Sequence, residues 1–269
     1  MSKIGFIGAG NMAEAIIKGV IDAHIYHAED IIISDVRKDR VNELADKYNI
    51  SFMTNNQLAE AVDILVLSVK PQNMTAVLNE IKSSLGDDTL IVSIAAGITT
   101  DSICKTLGYS SVIRVMPNTP ALIGQGTAVL YATKSAKERL GEVERIFSAV
   151  GLVAAVEDEK LLDAVTAVSG SGPAYFFLLM EEMIKTAEKL GLDKELAEKT
   201  VLQTAKGAAM LAIERAKAGE KPEVLRQKVT SPNGTTEAAL KVFVKNDFSK
   251  IVNEALQAAE KRSKELSGN

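Results

Sequence analysis

The chain has 269 residues, 46% apolar and 25% charged, a composition that suits one large or two modest globular domains. Its net charge of -4 gives no electrostatic ground for nucleic acid or an anionic membrane as partner, and no run approaches the ~20 apolar residues of a membrane helix. The first expected strand starts almost at Met1, so no signal peptide is expected; the single cysteine, Cys104, cannot close an internal disulfide. Both readings point to the cytoplasm.

In chain order, the first half alternates strand and helix patterns. Short Ile- and Val-rich runs at Lys3–Ile7, Ile31–Ser34, Ile64–Ser68, Leu90–Ile94 and Val112–Val115 read as strands buried on both faces of a parallel sheet. Between them, Met12–Ala23, Lys38–Lys47, Gln72–Ser84 and Asp101–Leu107 carry helical periodicity, with Cys104 as helix packing. Ala128–Ala132 and Leu152–Val156, flanking a helix at Ala136–Ala149, extend the sheet. His24 and His27 fall in the loop after the first helix, with no Cys or carboxylate cluster at ligand spacing, so no metal site is expected.

From Lys160 to Leu266 the chain reads as helix nearly throughout, with breaks at Ser169–Pro173, Gly191–Leu192, Gly219–Pro222 and Ser231–Gly234. The expected fold is α/β: a Rossmann-like, doubly wound N-terminal sheet over residues 1–158, then an all-helical C-terminal domain over 159–269. The helical patterns of Ala174–Leu190 and Ala197–Ile213 are apolar around most of their circumference. Such helices are buried on most sides. A segment of this size buries little of itself, which points to a homodimer; a monomeric bundle around one central helix is the alternative.

Gly8-Ala9-Gly10-Asn11-Met12-Ala13 fits G-x-G-x-x-G/A between a first strand and a first helix. Gly8 permits the tight turn, Gly10 lets backbone approach a pyrophosphate, and Ala13 allows close helix–strand packing. The N–H groups at the helix start then face the anion. A βα turn without a ligand has the same local pattern, but the strand–loop–helix–strand context favours a nicotinamide dinucleotide. At the end of the second strand, Asp35 stands about where an acid binds the ribose of NAD. Arg37, Lys38 and Arg40, with Ser34, are equally suited to a 2′-phosphate, though Lys38 and Arg40 also read as a solvated helix start. NADPH and NADH both stay open. Three loops at strand carboxyl ends complete the expected cofactor site: Ser68-Val69-Lys70-Pro71, Ala95-Ala96-Gly97 and Met116-Pro117-Asn118-Thr119-Pro120. Asn118 is suited either to a carboxamide or to ordering its loop, and Lys70 either to phosphate or to solvent. Asn55 is placed with Val69, Lys70, Pro71, Ala95, Ala96, Gly97 and Asn118 in the cofactor-binding set.

In the helical half, Ser169-Gly170-Ser171-Gly172-Pro173-Ala174-Tyr175 reads as a flexible loop with Pro173 at a helix start. Thr230-Ser231-Pro232-Asn233-Gly234-Thr235-Thr236 is a hydroxyl-rich turn opening another helix. One Ser or Thr suffices as a cap, so this run is overprovided unless it binds a carboxylate.

Together, the N-terminal phosphate loop, Val69-Lys70-Pro71, Val115–Pro120, Ser169–Tyr175 and Ser231–Thr236 resemble pyrroline-5-carboxylate reductase, in order and over essentially the whole chain. The resemblance implies reduction of 1-pyrroline-5-carboxylate to L-proline with NADPH or NADH, the last step of proline biosynthesis. It also implies an interlocked helical homodimer, often assembled into decamers, and a Thr236 hydroxyl that hydrogen-bonds the ring nitrogen as the catalytic group. The substrate carboxylate is then expected on Ser231 and the N–H groups of Gly234 and Thr235. Asn233 departs from the family's usual glycine, and Asp35 from its commonly neutral residue.

An iminium carries its own positive charge, so a site without a catalytic His, Lys or Cys fits this chemistry. A β-hydroxyacid dehydrogenase shares the plan but uses a lysine after a similar glycine loop; Phe176 stands at that position and cannot transfer a proton. A non-catalytic dinucleotide sensor is the other reading, and it has no need of Ser231–Thr236.

Overall fold

Continuous Ile, Val and Leu runs form the strands because both faces of each are covered by helices. In the computed structural model, which describes residues 2–267, β1 (Ile4–Ile7) leads into α1 (Asn11–Asp22) and β2 (Ile31–Ser34) into α2 (Lys38–Tyr48). β3 (Ser51–Phe52), α3 (Asn55–Ala61), β4 (Ile64–Leu67), α4 (Pro71–Ile81), β5 (Leu90–Ser93), α5 (Thr100–Leu107) and β6 (Val112–Met116) follow. β7 (Gly126–Ala132), α6 (Leu140–Ser148) and β8 (Gly151–Ala155) complete a sheet in the order β3-β2-β1-β4-β5-β6-β7-β8. Neighbouring strands are parallel except β6 and β7. Strand order reverses between β1 and β4, the place where doubly wound sheets take their ligands.

Alternation along the strands sorts the core. Ile4, Phe6, Ile31, Ile33, Ile64 and Val66 pack with Ile16, Ile17 and Val20 of α1, Leu44 of α2 and Phe147 of α6. Ile7, Ile32, Leu65, Leu67 and Ile91 face the other way, against Leu58 of α3, Met74 and Leu78 of α4 and Ile103 of α5. β3 and α3 go beyond the expected elements. β3 is two exposed residues and carries no periodicity, whereas α3 is announced by a capping box, Thr54 with Gln57. The expected helix Ala136–Ala149 is divided into a 3₁₀ stretch, Lys134–Arg139, and α6.

α7 (Leu161–Val165) runs through a π-turn over Thr166–Gly170, closed by Ser171 N–H on Thr166 O at 2.8 Å. α8 (Gly172–Lys189) starts directly after it. The expected loop at Ser169–Pro173 is therefore helical backbone, and Pro173 is the second residue of α8. Its missing N–H costs nothing there. α9 (Lys194–Ala216), α10 (Pro222–Lys228), α11 (Thr235–Lys245) and α12 (Phe248–Leu266) complete the chain, with a further break at Asn246–Asp247.

The chain divides into two compact units, Met1–Pro173 with Ala258–Asn269, and Ala174–Gln257. In the first, the end of α12 is held by Ser263 Oγ donating to buried Asp163 at 2.6 Å. In the second, Ala197 and Val201 are the only buried hydrophobic residues, while Phe176, Phe177, Leu178, Ile213, Val242 and Val244 are exposed.

The register sets Ile7 opposite both Ser34 and Leu67, so β1, β2 and β4 end together. Gly8 closes that junction: its N–H donates to Ser34 O at 2.7 Å, while Ser68 N–H donates to Ile7 O at 2.9 Å. Gly8 has φ +98, and a Cβ there would lie 2.7 Å from Ser68 O. Gly8→Ala combines a left-handed backbone with a clash against main chain, and we expect it to cost about 3 kcal/mol, read by denaturant unfolding. A variant as stable as the parent would remove Gly8 from this structural role.

Candidate functional site

Because three strands end at one level, the loops that follow them face a common space. Its walls are Gly8, Gly10 and Asn11 after β1, Ser34, Asp35 and Arg37 after β2, Asn55 of α3, and Ser68, Val69 and Lys70 after β4, with Asn73 and Glu80 of α4. This cleft measures about 880 Å³. Among the expected cofactor residues, Gly8, Gly10, Asn11, Ser34, Asp35, Arg37, Asn55, Val69 and Lys70 thus converge. Gln72, Asn73, Ala76, Val77 and Glu80 also line the cleft and were not anticipated. They form one face of α4, which Pro71 opens at its first position. Asn55 Nδ2 donates to Glu80 Oε2 at 2.8 Å, so the cleft's α3 and α4 walls are tied together.

The floor of the cleft suits a pyrophosphate. Gly10 is the N-cap of α1 and makes no side-chain cap, so the first-turn N–H groups have no side-chain acceptor. A Cβ built on Gly10 meets nothing within 4 Å, in contrast to Gly8 two residues earlier. That open space leaves room for an anion at the helix start. Ala9 and Ala13 are buried beneath it, and Met12 packs against the core.

Charged groups fix the loop from the β2 side. Asp35 Oδ2 accepts the Ala9 N–H at 2.8 Å, and its Oδ1 accepts Arg37 N–H at 2.9 Å and Nε at 3.2 Å. The acid that suggests NAD and the cation that suggests NADP are therefore one ion pair. Burial raises the Asp35 carboxyl, but hydrogen bonds from Arg37 and the Ala9 N–H outweigh it and hold it below the usual aspartate range. Arg40 neither reaches into the cleft nor lies solvated at the start of α2. Its Nε donates to Ala9 O at 2.9 Å, Nη2 to Glu14 and Nη1 pairs with Glu43 at 2.8 Å. Glu14 also accepts from Lys47 Nζ at 2.9 Å and Tyr48 Oη at 3.0 Å.

Two motifs at the other edge meet each other. Asn118, buried, accepts Thr127 N–H at 2.8 Å and donates to Ser169 O at 3.0 Å. A Cβ on Gly170 would lie 2.6 Å from Met116 Cε. The Met116–Pro120 loop and the π-turn are thus one packed assembly, and Asn118 orders it. Ala95 is buried, and Gly97, at φ +71, lies against Leu266 at the end of α12. Pro71, Ala95, Ala96, Gly97 and Asn118 are not among the residues lining the cleft. Behind them, buried Arg114 pairs with Glu159 at 3.0 Å, and Glu159 accepts Thr100 N–H at 2.8 Å and Oγ1 at 2.6 Å.

The hydroxyl-rich turn belongs to the other unit. Gly234 is the N-cap of α11, again with no side-chain cap, and its N–H donates to Ser231 O at 3.0 Å. Asn233 adopts φ +61, the left-handed conformation that glycine takes most easily and asparagine next. Its N–H donates to Glu237 Oε2 at 2.6 Å. Ser231 and Thr235 are exposed and Thr236 is half-buried, beside the first-turn N–H groups of the helix.

The doubly wound sheet, its switch-point cleft and its uncapped phosphate loop define an NAD(P)H-dependent oxidoreductase, and residues 3–97 match the family described as NADP oxidoreductase, coenzyme F420-dependent. Residues 159–266 match the family described as pyrroline-5-carboxylate reductase dimerisation. The chain is 48% identical over 269 residues to the pyrroline-5-carboxylate reductase of Pseudomonas aeruginosa, covering 98% of this chain and 96% of that one. A solved pyrroline-5-carboxylate reductase from Coxiella burnetii superposes with a TM-score of 0.90 at 41% identity, over 99% and 98% of the two chains. The Plasmodium falciparum pyrroline carboxylate reductase, solved with NADP bound, gives 0.87 at 33%, over 99% and 98%. The chain belongs to the pyrroline-5-carboxylate reductase family.

Glu14 yields a test of the electrostatics around the loop. Burial raises its carboxyl, but hydrogen bonds from Lys47, Arg40 and Tyr48 outweigh that and bring it down to about 2. A depressed carboxylate stabilises the fold above the ordinary glutamate range, and that stabilisation is lost as pH falls through the folded-state value. Glu14→Gln is therefore expected to be less stable than the parent near neutrality, with the gap closing between the ordinary glutamate range and about pH 2. Thermal midpoints followed down in pH check this. A gap that does not change with pH would contradict it.

Proposed function

We propose that this chain reduces 1-pyrroline-5-carboxylate to L-proline, with residues 1–158 serving the dinucleotide and residues 159–269 serving dimerisation and the substrate. The observation that carries the reading is the Ser231–Thr236 turn: hydroxyls beside a helix N-terminus that has no side chain of its own to cap it. When bound, the reduced nicotinamide supplies the hydride that the imine carbon receives.

The chain's residues hold and orient. The Gly10, Asn11 and Met12 backbone receives the pyrophosphate, with Gly8 and Ala9 shaping the loop. Ser34, Asp35, Arg37 and Asn55 serve the adenosine end, and Val69, Lys70 and Pro71 the wall of the cleft. Ala95, Ala96, Gly97 and Asn118 frame the nicotinamide end, with Asn118 acting by fixing its loop. Ser231 and the N–H groups of Gly234 and Thr235 take the substrate carboxylate, and the Thr236 hydroxyl hydrogen-bonds the ring nitrogen. A protonated imine needs no additional acid to polarise it, so orientation and water exclusion suffice.

The chain oligomerises. The near absence of buried hydrophobic residues from Ala174–Gln257, set beside its exposed Phe and Leu side chains, supports a homodimer as the unit that completes the helical part. Assembly into decamers is an extension of that proposal. We place the enzyme in the cytoplasm, acting on a small molecule without nucleic acid or membrane as partner; among the described residues no helix is long and apolar enough to cross a membrane.

The test follows the loss of reduced-nicotinamide absorbance with 1-pyrroline-5-carboxylate, using NADPH and NADH in turn. Turnover with at least one is expected, and none with either would overturn the reading. Thr236→Ala is expected to lower kcat about 10²-fold or more while cofactor affinity stays within about twofold. Unchanged turnover would take Thr236 out of the mechanism.

A further inference from the structure

We propose that Arg40 is a positioning residue of the phosphate loop, serving NADPH and NADH alike, and not a ligand of the ribose 2′-phosphate. The proposal rests on the reading that the cleft binds a dinucleotide. Ala9 is gripped at both of its peptides by opposite charges. Its N–H is held by Asp35 Oδ2 at 2.8 Å, and its carbonyl by Arg40 Nε at 2.9 Å. The second contact matters for the ligand. In a trans peptide the C=O and the following N–H point in opposite directions. Drawing Ala9 O towards Arg40 therefore turns the Gly10 N–H away from α2.

Arg40 is itself immobilised. All three guanidinium nitrogens are engaged, with Ala9 O, Glu14 of α1 and Glu43 of α2, and its side chain is only 13% exposed. Glu14 is in turn fixed by Lys47 and Tyr48. With three of its five N–H donors spent on these partners and its side chain largely covered, Arg40 does not line the cleft where a phosphate would lie. Arg37, by contrast, is paired with Asp35 and is 56% exposed at the cleft. The Ala9 carbonyl is thus oriented before any cofactor arrives, by Arg40, Glu14 and Glu43, none of which lines the cleft.

The test titrates purified full-length chain with NADPH and with NADH, reading reduced-nicotinamide fluorescence, alongside kcat at saturating cofactor. Arg40→Met should weaken both cofactors by the same factor, about tenfold, while kcat stays within about twofold. A loss confined to NADPH would overturn the proposal, because Arg40 would then be a phosphate ligand; unchanged affinity for both would overturn it too. Arg40→Lys keeps the charge between Glu14 and Glu43 and guards against a misfolded Met variant. It should give an equal but smaller loss for the two cofactors, and parental affinity for both would count against the proposal. If the parent chain binds neither cofactor, the assignment of the cleft itself fails, and that outcome is seen before any Arg40 variant is made.

Discussion

Everything in the dinucleotide-binding part depends on one steric constraint, the simultaneous ending of β1, β2 and β4. Their shared register brings Ile7 level with Ser34 and Leu67, and the chain must then leave the sheet within van der Waals reach of Ser68 main chain. Only a residue without Cβ does this at φ +98. Once the turn is made there, α1 begins at once, its N-terminus lies over the strand ends, and the switch point between β1 and β4 becomes a cleft. A second glycine two residues on has a different reason to exist. Gly10 sits in an ordinary extended conformation, with open space where its side chain would be. One glycine in the loop serves the fold, and the other leaves open space above the start of α1.

Around that turn the electrostatics are local and paired. Asp35, Arg37, Arg40, Glu14, Glu43 and Lys47 form a continuous set of contacts from the phosphate loop to the outer surface of α2. Individually exposed pairs contribute little to stability. Here the better buried members bond to loop backbone, so their effect falls on where the N–H groups point. The same logic appears at the opposite edge, where Asn118 joins the Met116–Pro120 loop to the π-turn through Ser169 O and to β7 through the Thr127 N–H. π-turns inside helices are often found at functional sites, and this one replaces what composition alone suggests is a flexible loop.

Much of this was legible in the residues. Ile31–Ser34 and Ile64–Leu67 are too apolar and too short for anything but buried strands, and the spacing of helices between them specifies the winding of the sheet. The phosphate loop, Asp35 and Lys70 were identifiable as members of one site because parallel strands deliver their carboxyl ends to one edge. Other features were hidden for identifiable reasons. β3 is two exposed residues long, below any periodicity. Ser169–Ser171 carries the composition of a loop but follows the backbone of a widened helix, closed by Ser171 N–H on Thr166 O. Arg40 could be read only as a charge, because its decisive partner is a carbonyl 31 residues away in sequence. The α4 wall was missed since Gln72, Asn73 and Glu80 look like an ordinary solvated helix face. Asn233, a departure from the family's usual glycine, is accommodated because asparagine also tolerates the left-handed turn.

A dinucleotide whose pyrophosphate lies on the backbone at Gly10 fills space that the folded chain leaves empty. Substituting Gly10 by Ala and measuring both thermal stability and NADPH affinity tests this placement directly. The backbone at Gly10 is compatible with alanine, and the added methyl meets no neighbour, so the melting temperature should be unchanged or slightly raised. Affinity should fall by about tenfold or more, because the methyl occupies the ligand's approach. A Gly10→Ala chain that melts normally and binds NADPH as tightly as the parent would contradict the account.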